Sequence, residues 1–261
     1  MVESHDANRL LEVENLELAY GAVQVVWGVT LQVSRGQVVC LIGPNGAGKT
    51  TVFNLVTGVY RPDSGVIRMN GLDLTTKKPA QIAAAGIART FQNIRLFSQM
   101  SVLDNVLVAC ETKRRTGLRG ALARTSSFLE EEEEMRTKAL ELLDVFELRG
   151  FADERSTSLS YGNQRRLEIA RAMMLGPKLL LLDEPAAGMN YGEAEGLKKQ
   201  IRWLRERFKL TVVLVEHNMQ VVMSVCEEIH VLDYGETIAH GRPDEIRQHP
   251  KVLAAYLGEP A

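Results

Sequence analysis

Residues Gly43 to Thr51 read G-P-N-G-A-G-K-T-T and fit the phosphate-loop pattern G-x-x-x-x-G-K-[ST], with Gly43, Gly48, Lys49 and Thr50 at its fixed positions. The chemistry explains the residue types. Glycines let consecutive backbone N–H groups curl round an anionic phosphate chain, and the helix that follows adds the positive end of its dipole. Gly43, Pro44, Asn45, Gly46, Ala47, Gly48, Lys49, Thr50 and Thr51 are therefore the candidate cradle for a nucleoside triphosphate. Lys49 reaches the β- and γ-phosphates, and the Thr50 hydroxyl suits Mg²⁺. The flanks agree. Val38 to Ile42 is an apolar, β-branched-rich run that predicts a buried parallel strand, and the apolar residues between Thr50 and Thr57 predict a helix that Gly58 stops.

A second group of polar residues falls at the ends of other predicted strands. Leu179 to Leu182 is an apolar run ending in Asp183 and Glu184. An aspartate at that point suits Mg²⁺, and a neighbouring glutamate suits orienting and polarising an attacking water. Leu210 to Val215 is a further buried strand, ending in Glu216 and His217. Position alone leaves His217 open between a structural histidine and a γ-phosphate sensor. Gln92, just past the strand Ile87 to Phe91, is either a surface amide or a partner of Mg²⁺ or water. Tyr20 is either an ordinary strand-end tyrosine or a ring that stacks on a base. Ser160-Tyr161-Gly162 precedes a helical run, where Ser160 is either a simple N-cap or part of a second anion site.

The elements that must position these residues follow from periodicity. Leu10 to Ala19 alternates apolar and polar, and Val23 to Val33 adds more strand, so an antiparallel β layer precedes a parallel core. Val66 to Met69 is a short strand and Pro79 to Ala85 a short helix stopped by Gly86. The irregular stretch Asn93 to Met100 carries Ile94, Leu96 and Phe97. Periodicity favours core for these three, with an exposed partner groove as the alternative. A helix opens at Ser101, with Ser101 and Asp104 as a capping box, and runs to about Cys110. Residues 111–127, with Lys113, Arg114, Arg115, Arg119 and Arg124, predict a solvated loop or weak helix. Glu130 to Glu134 predicts acidic residues at the start of a helix ending near Phe146, where they favour the dipole.

Bulk properties limit the function classes. The 261 residues suit one large α/β domain or one domain with a subdomain. A net charge of −2 gives no basic footprint for nucleic acid. No stretch approaches the ~18 consecutive apolar residues of a membrane-crossing helix. The polar start, Met1 to Arg9, is not a secretory signal. The three cysteines, Cys40, Cys110 and Cys226, suit buried cytosolic thiols rather than a disulfide framework or a zinc site.

Taken in order, Tyr20, Gly43 to Thr51, Gln92, Leu159-Ser160-Tyr161-Gly162-Asn163, Asp183-Glu184 and His217 resemble the ATP-binding subunit of ABC transporters, from about Leu10 to the C-terminus. More narrowly, A-R-T-F-Q-N-I-R-L-F, L-S-Y-G-N-Q-R-R-L-E-I-A-R-A, L-L-D-E-P-A-A-G-M-N and H-P-K-V-L-A-A-Y-L-G-E are similar to the ATPases of bacterial branched-chain amino acid importers, in particular the LivG type. Motors for urea or amide uptake and for lipopolysaccharide export share parts of these motifs. Soluble ABC ATPases usually carry two cassettes or long coiled coils, and this chain has neither pattern.

The resemblance implies an α/β fold: a P-loop NTPase parallel-sheet core, an N-terminal antiparallel β subdomain and a helical subdomain bearing the signature. One ABC ATPase domain is expected over 10–257, with the β layer at about 10–36 and 64–71, the helical subdomain at about 93–175, and a flexible 1–9. It implies ATP and Mg²⁺ as cofactors, with Thr50, Gln92 and Asp183 at the metal. Glu184, His217, Gln92 and Lys49 would be catalytic, Tyr20 would stack on adenine, and Ser160 and Gly162 would bind the nucleotide of a second ATPase subunit in a head-to-tail ATP sandwich. It further implies permease subunits docking near Gln92 to Phe97, indirectly a periplasmic solute-binding protein, no nucleic acid, and a peripheral place on the cytoplasmic face of the bacterial inner membrane. Three positions depart from the wider pattern: Tyr161 where glycine is common, Asn163 where glutamine is usual, and Asn190 at a position commonly aspartate.

Overall fold

A computed structural model describes residues 8–114, 116 and 118–257. Contacts divide the chain into two compact units, one from Met1–Arg89 with Lys178–Ala261 and one from Thr90–Pro177. Of the expected flexible N-terminus at 1–9, residues 1–7 lie outside the described residues.

The first unit opens with β1 (Arg9–Tyr20) and β2 (Val23–Ser34), followed by β3 (Val38–Ile42), helix α1 (Lys49–Val56), β4 (Ser64–Met69), β5 (Leu72–Asp73), α2 (Pro79–Ala85) and β6 (Ile87–Arg89). β1 pairs antiparallel with β2 and β4, giving a four-stranded sheet in the order β2-β1-β4-β5. The alternation read in Leu10 to Ala19 is irregular here. Leu10, Leu11, Glu12 and Val13 are all buried in succession, and the register shifts between Val13 and Leu16. Asn15 takes a positive φ at that bulge, where asparagine is tolerated better than most residues.

The second unit holds α3 (Val102–Leu107), a 3₁₀ turn at Val108–Lys113, α4 (Leu118–Ala123), α5 (Ser126–Val145) and α6 (Tyr161–Met174). One expectation is corrected. The described residues of 111–127 carry short helical turns, the weak-helix side of that reading, but α5 begins at Ser126, not near Glu130. The Thr125 hydroxyl accepts from Phe128 N–H and sets that start. The first turn of α5 therefore holds no acidic residue, and most of Glu130 to Glu134 is exposed on later turns, away from the dipole's positive end.

The chain returns to the first unit with β7 (Leu179–Asp183), α7 (Tyr191–Phe208), β8 (Thr211–Val215), α8 (Met219–Val225), β9 (Glu228–Asp233), β10 (Glu236–Gly241), α9 (Pro243–Arg247) and α10 (Pro250–Leu257). A six-stranded sheet runs β10-β9-β3-β8-β7-β6. All its neighbours are parallel except β9 and β10. β3, β7 and β8 are buried along their whole length, which is why they are apolar without alternation. Parallel neighbours end on the same edge. The order β3-β8-β7 therefore brings the loop after Ile42, the residues after Val215 and the Asp183-Glu184 pair to one edge of the sheet, where open α/β sheets bind ligands. Among the described residues no helix is long and apolar enough to cross a membrane.

Candidate functional site

The loop at Gly43 to Gly48 depends on glycine in two different ways. Gly43 has φ 152°, and a Cβ there would stand 2.1 Å from the Leu232 carbonyl oxygen of β9, so any side chain collides with backbone. Gly48 ends the loop in the left-handed region, at φ 94°, and caps α1. Lys49 then starts α1 with its side chain turned back over the loop. Its ammonium donates to the carbonyl oxygens of Gly43 and Pro44, each at 2.8 Å. Burial lowers its pKa below the ordinary lysine value, and the carboxylates of Glu184 and Asp183 oppose that shift. Lys49 thus lies in the field of the carboxylate pair.

At the end of β7, Asp183 is buried and Glu184 turns out of the strand with φ 47°, a strained conformation for a glutamate. Its backbone N–H still donates to Val215 at 2.8 Å, which holds the strained residue against the end of β8. His217 approaches from the neighbouring strand, with Nδ1 3.7 Å from Glu184 Oε2. The residue before it, Glu216, is buried and was not picked out from the sequence. One of its carboxylate oxygens accepts from Ala186 N–H at 2.8 Å, and the other accepts from His217 and Asn218 N–H at 3.0 and 3.1 Å. Glu216 therefore ties the segment carrying Glu184 to the segment carrying His217.

Arg89 was also missed. It is the last residue of β6, and its guanidinium is buried. It donates to Asp183 at 2.7 Å, to the Asn54 side-chain oxygen at 2.7 Å and to the Thr57 hydroxyl at 3.2 Å. No local pattern marks this arginine, because its partners are supplied by α1 and β7. Tyr256 of α10 adds a contact from the far end of the chain. Its phenol is raised by burial, against a hydrogen bond from the Gly43 backbone.

Among the remaining expected residues, Tyr20 is half-exposed and packs edge-on against Tyr60, with ring centroids 5.6 Å apart. Gln92, Ser160 and Gly162 belong to the second unit. There Ser160 is the N-cap of α6, its hydroxyl accepting from Asn163 N–H at 3.4 Å. The fully buried Arg165 of α6 donates to the carbonyl oxygens of Phe91 and Gln92 at 2.6 and 2.7 Å and pairs with Glu168 at 2.8 Å. Gln92 thus leaves a backbone clamped to the helix that follows Ser160. Phe97 is 47% exposed, with Ile94 and Leu96 half-buried, so the core reading of these three is corrected. Buried Asn105 pins that segment by accepting from Phe97 N–H at 2.8 Å and donating to its carbonyl. The departure at Asn190 has a local reason: its side chain caps α7, accepting from Glu193 N–H at 3.0 Å, while Glu193 accepts in return from Asn190 N–H.

The donor set fits one magnesium ion better than a protein-caged metal. Among the described residues no cluster of three His, Cys, Asp or Glu could hold a metal. A buried carboxylate, Asp183, beside a loop built for phosphates is the kind of site where Mg²⁺ keeps waters and takes its other ligands from substrate.

The family described as ABC transporter matches residues 26–187. A second, described as branched-chain amino acid ATP-binding cassette transporter, matches residues 236–261. The chain is 46% identical to the high-affinity branched-chain amino acid transport ATP-binding protein BraF of Pseudomonas aeruginosa, over 96% of this chain and 98% of that protein. It is 43% identical to LivG of Escherichia coli (strain K12), which bears the same description, over the same shares. Among solved structures, the ADP conformation of MJ1267, an ATP-binding cassette of an ABC transporter, aligns with TM-score 0.84 and 32% identity, over 96% of this chain and 99% of that one. The dimeric bacterial ABC transporter cassette MJ0796 aligns with TM-score 0.77 and 26% identity, over 90% and 99%.

Proposed function

Because this chain belongs to the ABC transporter ATP-binding family, we propose that it is the ATP-hydrolysing subunit that energises an importer of branched-chain amino acids. The convergence of Lys49, Asp183, Glu184 and His217 at one sheet edge carries the hydrolytic part of this reading. Identity with branched-chain amino acid transport subunits over nearly the whole chain supports the substrate.

In this reading the loop Gly43 to Thr51 wraps the phosphates and Lys49 exchanges its loop carbonyls for phosphate oxygens. The ring of Tyr20 lies against adenine. Glu184 orients the attacking water, and His217 contacts the γ-phosphate and keeps water and phosphate in line. Thr50 and Asp183 would hold Mg²⁺, which would offset the charge that spreads over the transferring phosphoryl group. A second cassette completes the site, a pairing supported by a dimeric cassette of this fold, and in this reading Ser160 and Gly162 of the partner ATPase face the γ-phosphate. ATP then favours the paired state and hydrolysis releases it. The partner ATPase is an identical or a sister subunit.

The exposed Phe97, with Ile94 and Leu96, supports permease docking near Gln92 to Phe97. The subunit would sit peripherally on the cytoplasmic face of the inner membrane and answer indirectly to a periplasmic solute-binding protein. Uptake of labelled leucine, isoleucine and valine by cells lacking this subunit tests the substrate. Loss of uptake, restored by the parent and not by Glu184→Gln, is expected. Normal branched-chain uptake with loss of another solute's uptake would overturn it.

A further inference from the structure

The pairing of Arg89 with Asp183 has no part in the scheme above. Both side chains are buried, at 6% and 1% exposure, and their contact is 2.7 Å. A buried ion pair stands only where geometry and additional hydrogen bonds offset desolvation. Those bonds exist here. The guanidinium fork that reaches Asp183 also reaches Asn54 of α1 and its C-cap Thr57, and its Cζ lies 5.5 Å from the centre of the Phe53 ring. Arginine suits this role because one rigid fork serves several acceptors at once. Arg89 thus joins its own strand β6 to the helix after the phosphate loop and to the strand ending in Asp183.

We propose that Arg89 is a positioning residue that serves as the built-in counter-charge of Asp183 while no divalent cation is bound, and that yields this role when the cation arrives with nucleotide. The proposal rests on Asp183 as the metal-holding carboxylate. Its physical content is a competition. Arginine and Mg²⁺ both neutralise the same buried carboxylate, so the need for one is reduced by the presence of the other. A merely structural Arg89 would matter equally with and without metal.

Thermal unfolding of the full chain with saturating ADP, with and without Mg²⁺, tests this. Arg89→Met should lower the metal-free Tm by about 10 °C, as expected for breaking a buried pair in a domain of this size. With Mg²⁺·ADP the gap between variant and parent should shrink to less than half. An unchanged gap would overturn the proposal. Arg89→Lys keeps a charge but loses the fork, so its gap should be smaller than that of Arg89→Met and also shrink with metal. Should Arg89→Met not fold, the double variant Arg89→Met/Asp183→Asn decides. Its recovery of folding supports the counter-charge role, because the uncompensated carboxylate has gone, and its failure overturns the role in favour of the bonds to Asn54 and Thr57. Parent protein whose Tm in ADP does not respond to Mg²⁺ would overturn the reading of Asp183 itself. That outcome is distinct from a metal-responsive parent with a metal-insensitive Arg89→Met gap.

Discussion

His217 Nδ1 stands 3.7 Å from Glu184 Oε2, and buried Glu216 bonds the backbone on both sides of that approach. The strand-end histidine and the strand-end glutamate, 33 positions apart in the chain, thus meet at one place because β7 and β8 are parallel neighbours. Replacing His217 with alanine should leave ATP binding within about threefold and lower turnover by about 10²-fold, the scale of losing one positioned polar group. Steady-state phosphate release with a nucleotide-binding titration checks this. Parent-like turnover would remove His217 from the site.

Gly43 and Gly46 predict different costs for the same substitution. Both have positive φ, but a Cβ on Gly43 meets the Leu232 carbonyl oxygen at 2.1 Å, whereas a Cβ on Gly46 meets nothing within 4 Å. Gly46→Ala carries backbone strain of about 1–3 kcal/mol alone. Gly43→Ala must also displace β9 or the loop, so it should lose nucleotide binding and show the larger fall in Tm. Equal effects of the two substitutions would contradict the packing described for the loop.

Phe97, five positions after Gln92, is exposed, with Arg171 Cζ 5.7 Å from its ring centre. Phe97→Glu places a charge on that surface without entering the buried Asn105 anchor beneath the backbone. Co-purification of the subunit with its permease should fall several-fold, and uptake with it. Undiminished co-purification would assign the surface to another purpose.

Cys40 is fully buried, and its thiol is pushed well above the usual range by burial and then by Cys226. Thiolate is the reactive form, so raising the pH to about 8.5 should not expose Cys40 to an aromatic disulfide reagent. Cys110 and Cys226 are buried as well. The native protein should titrate fewer than one thiol per chain, and the denatured chain all 3. A rapid stoichiometric reaction of the native protein would contradict this burial.

What was legible in the sequence was local. The phosphate loop, Asp183 and Glu184 announce themselves because strand, turn and helix signals surround them within a few residues. Arg89 and Glu216 do not, since their meaning depends on which strands become neighbours: Arg89 bonds Asp183 94 positions away and Glu216 bonds Ala186 30 positions away. Periodicity reported Ile94, Leu96 and Phe97 as apolar but carried no information on whether anything covers them. The early start of α5 was hidden for a related reason. Its cap, Thr125, lies in a segment whose charges and glycines read as loop, and the acidic run drew the boundary toward itself.

Glu184→Gln tests the central claim most directly. The substitution keeps the size and the hydrogen-bonding reach of the residue that orients water, and removes its charge. In the assembled transporter, saturating Mg²⁺·ATP should bind Glu184→Gln with parent-like affinity while phosphate release falls by at least about 10²-fold. Turnover equal to that of the parent would contradict Glu184 as the residue that drives hydrolysis, and with it the account of this sheet edge as an ATPase site.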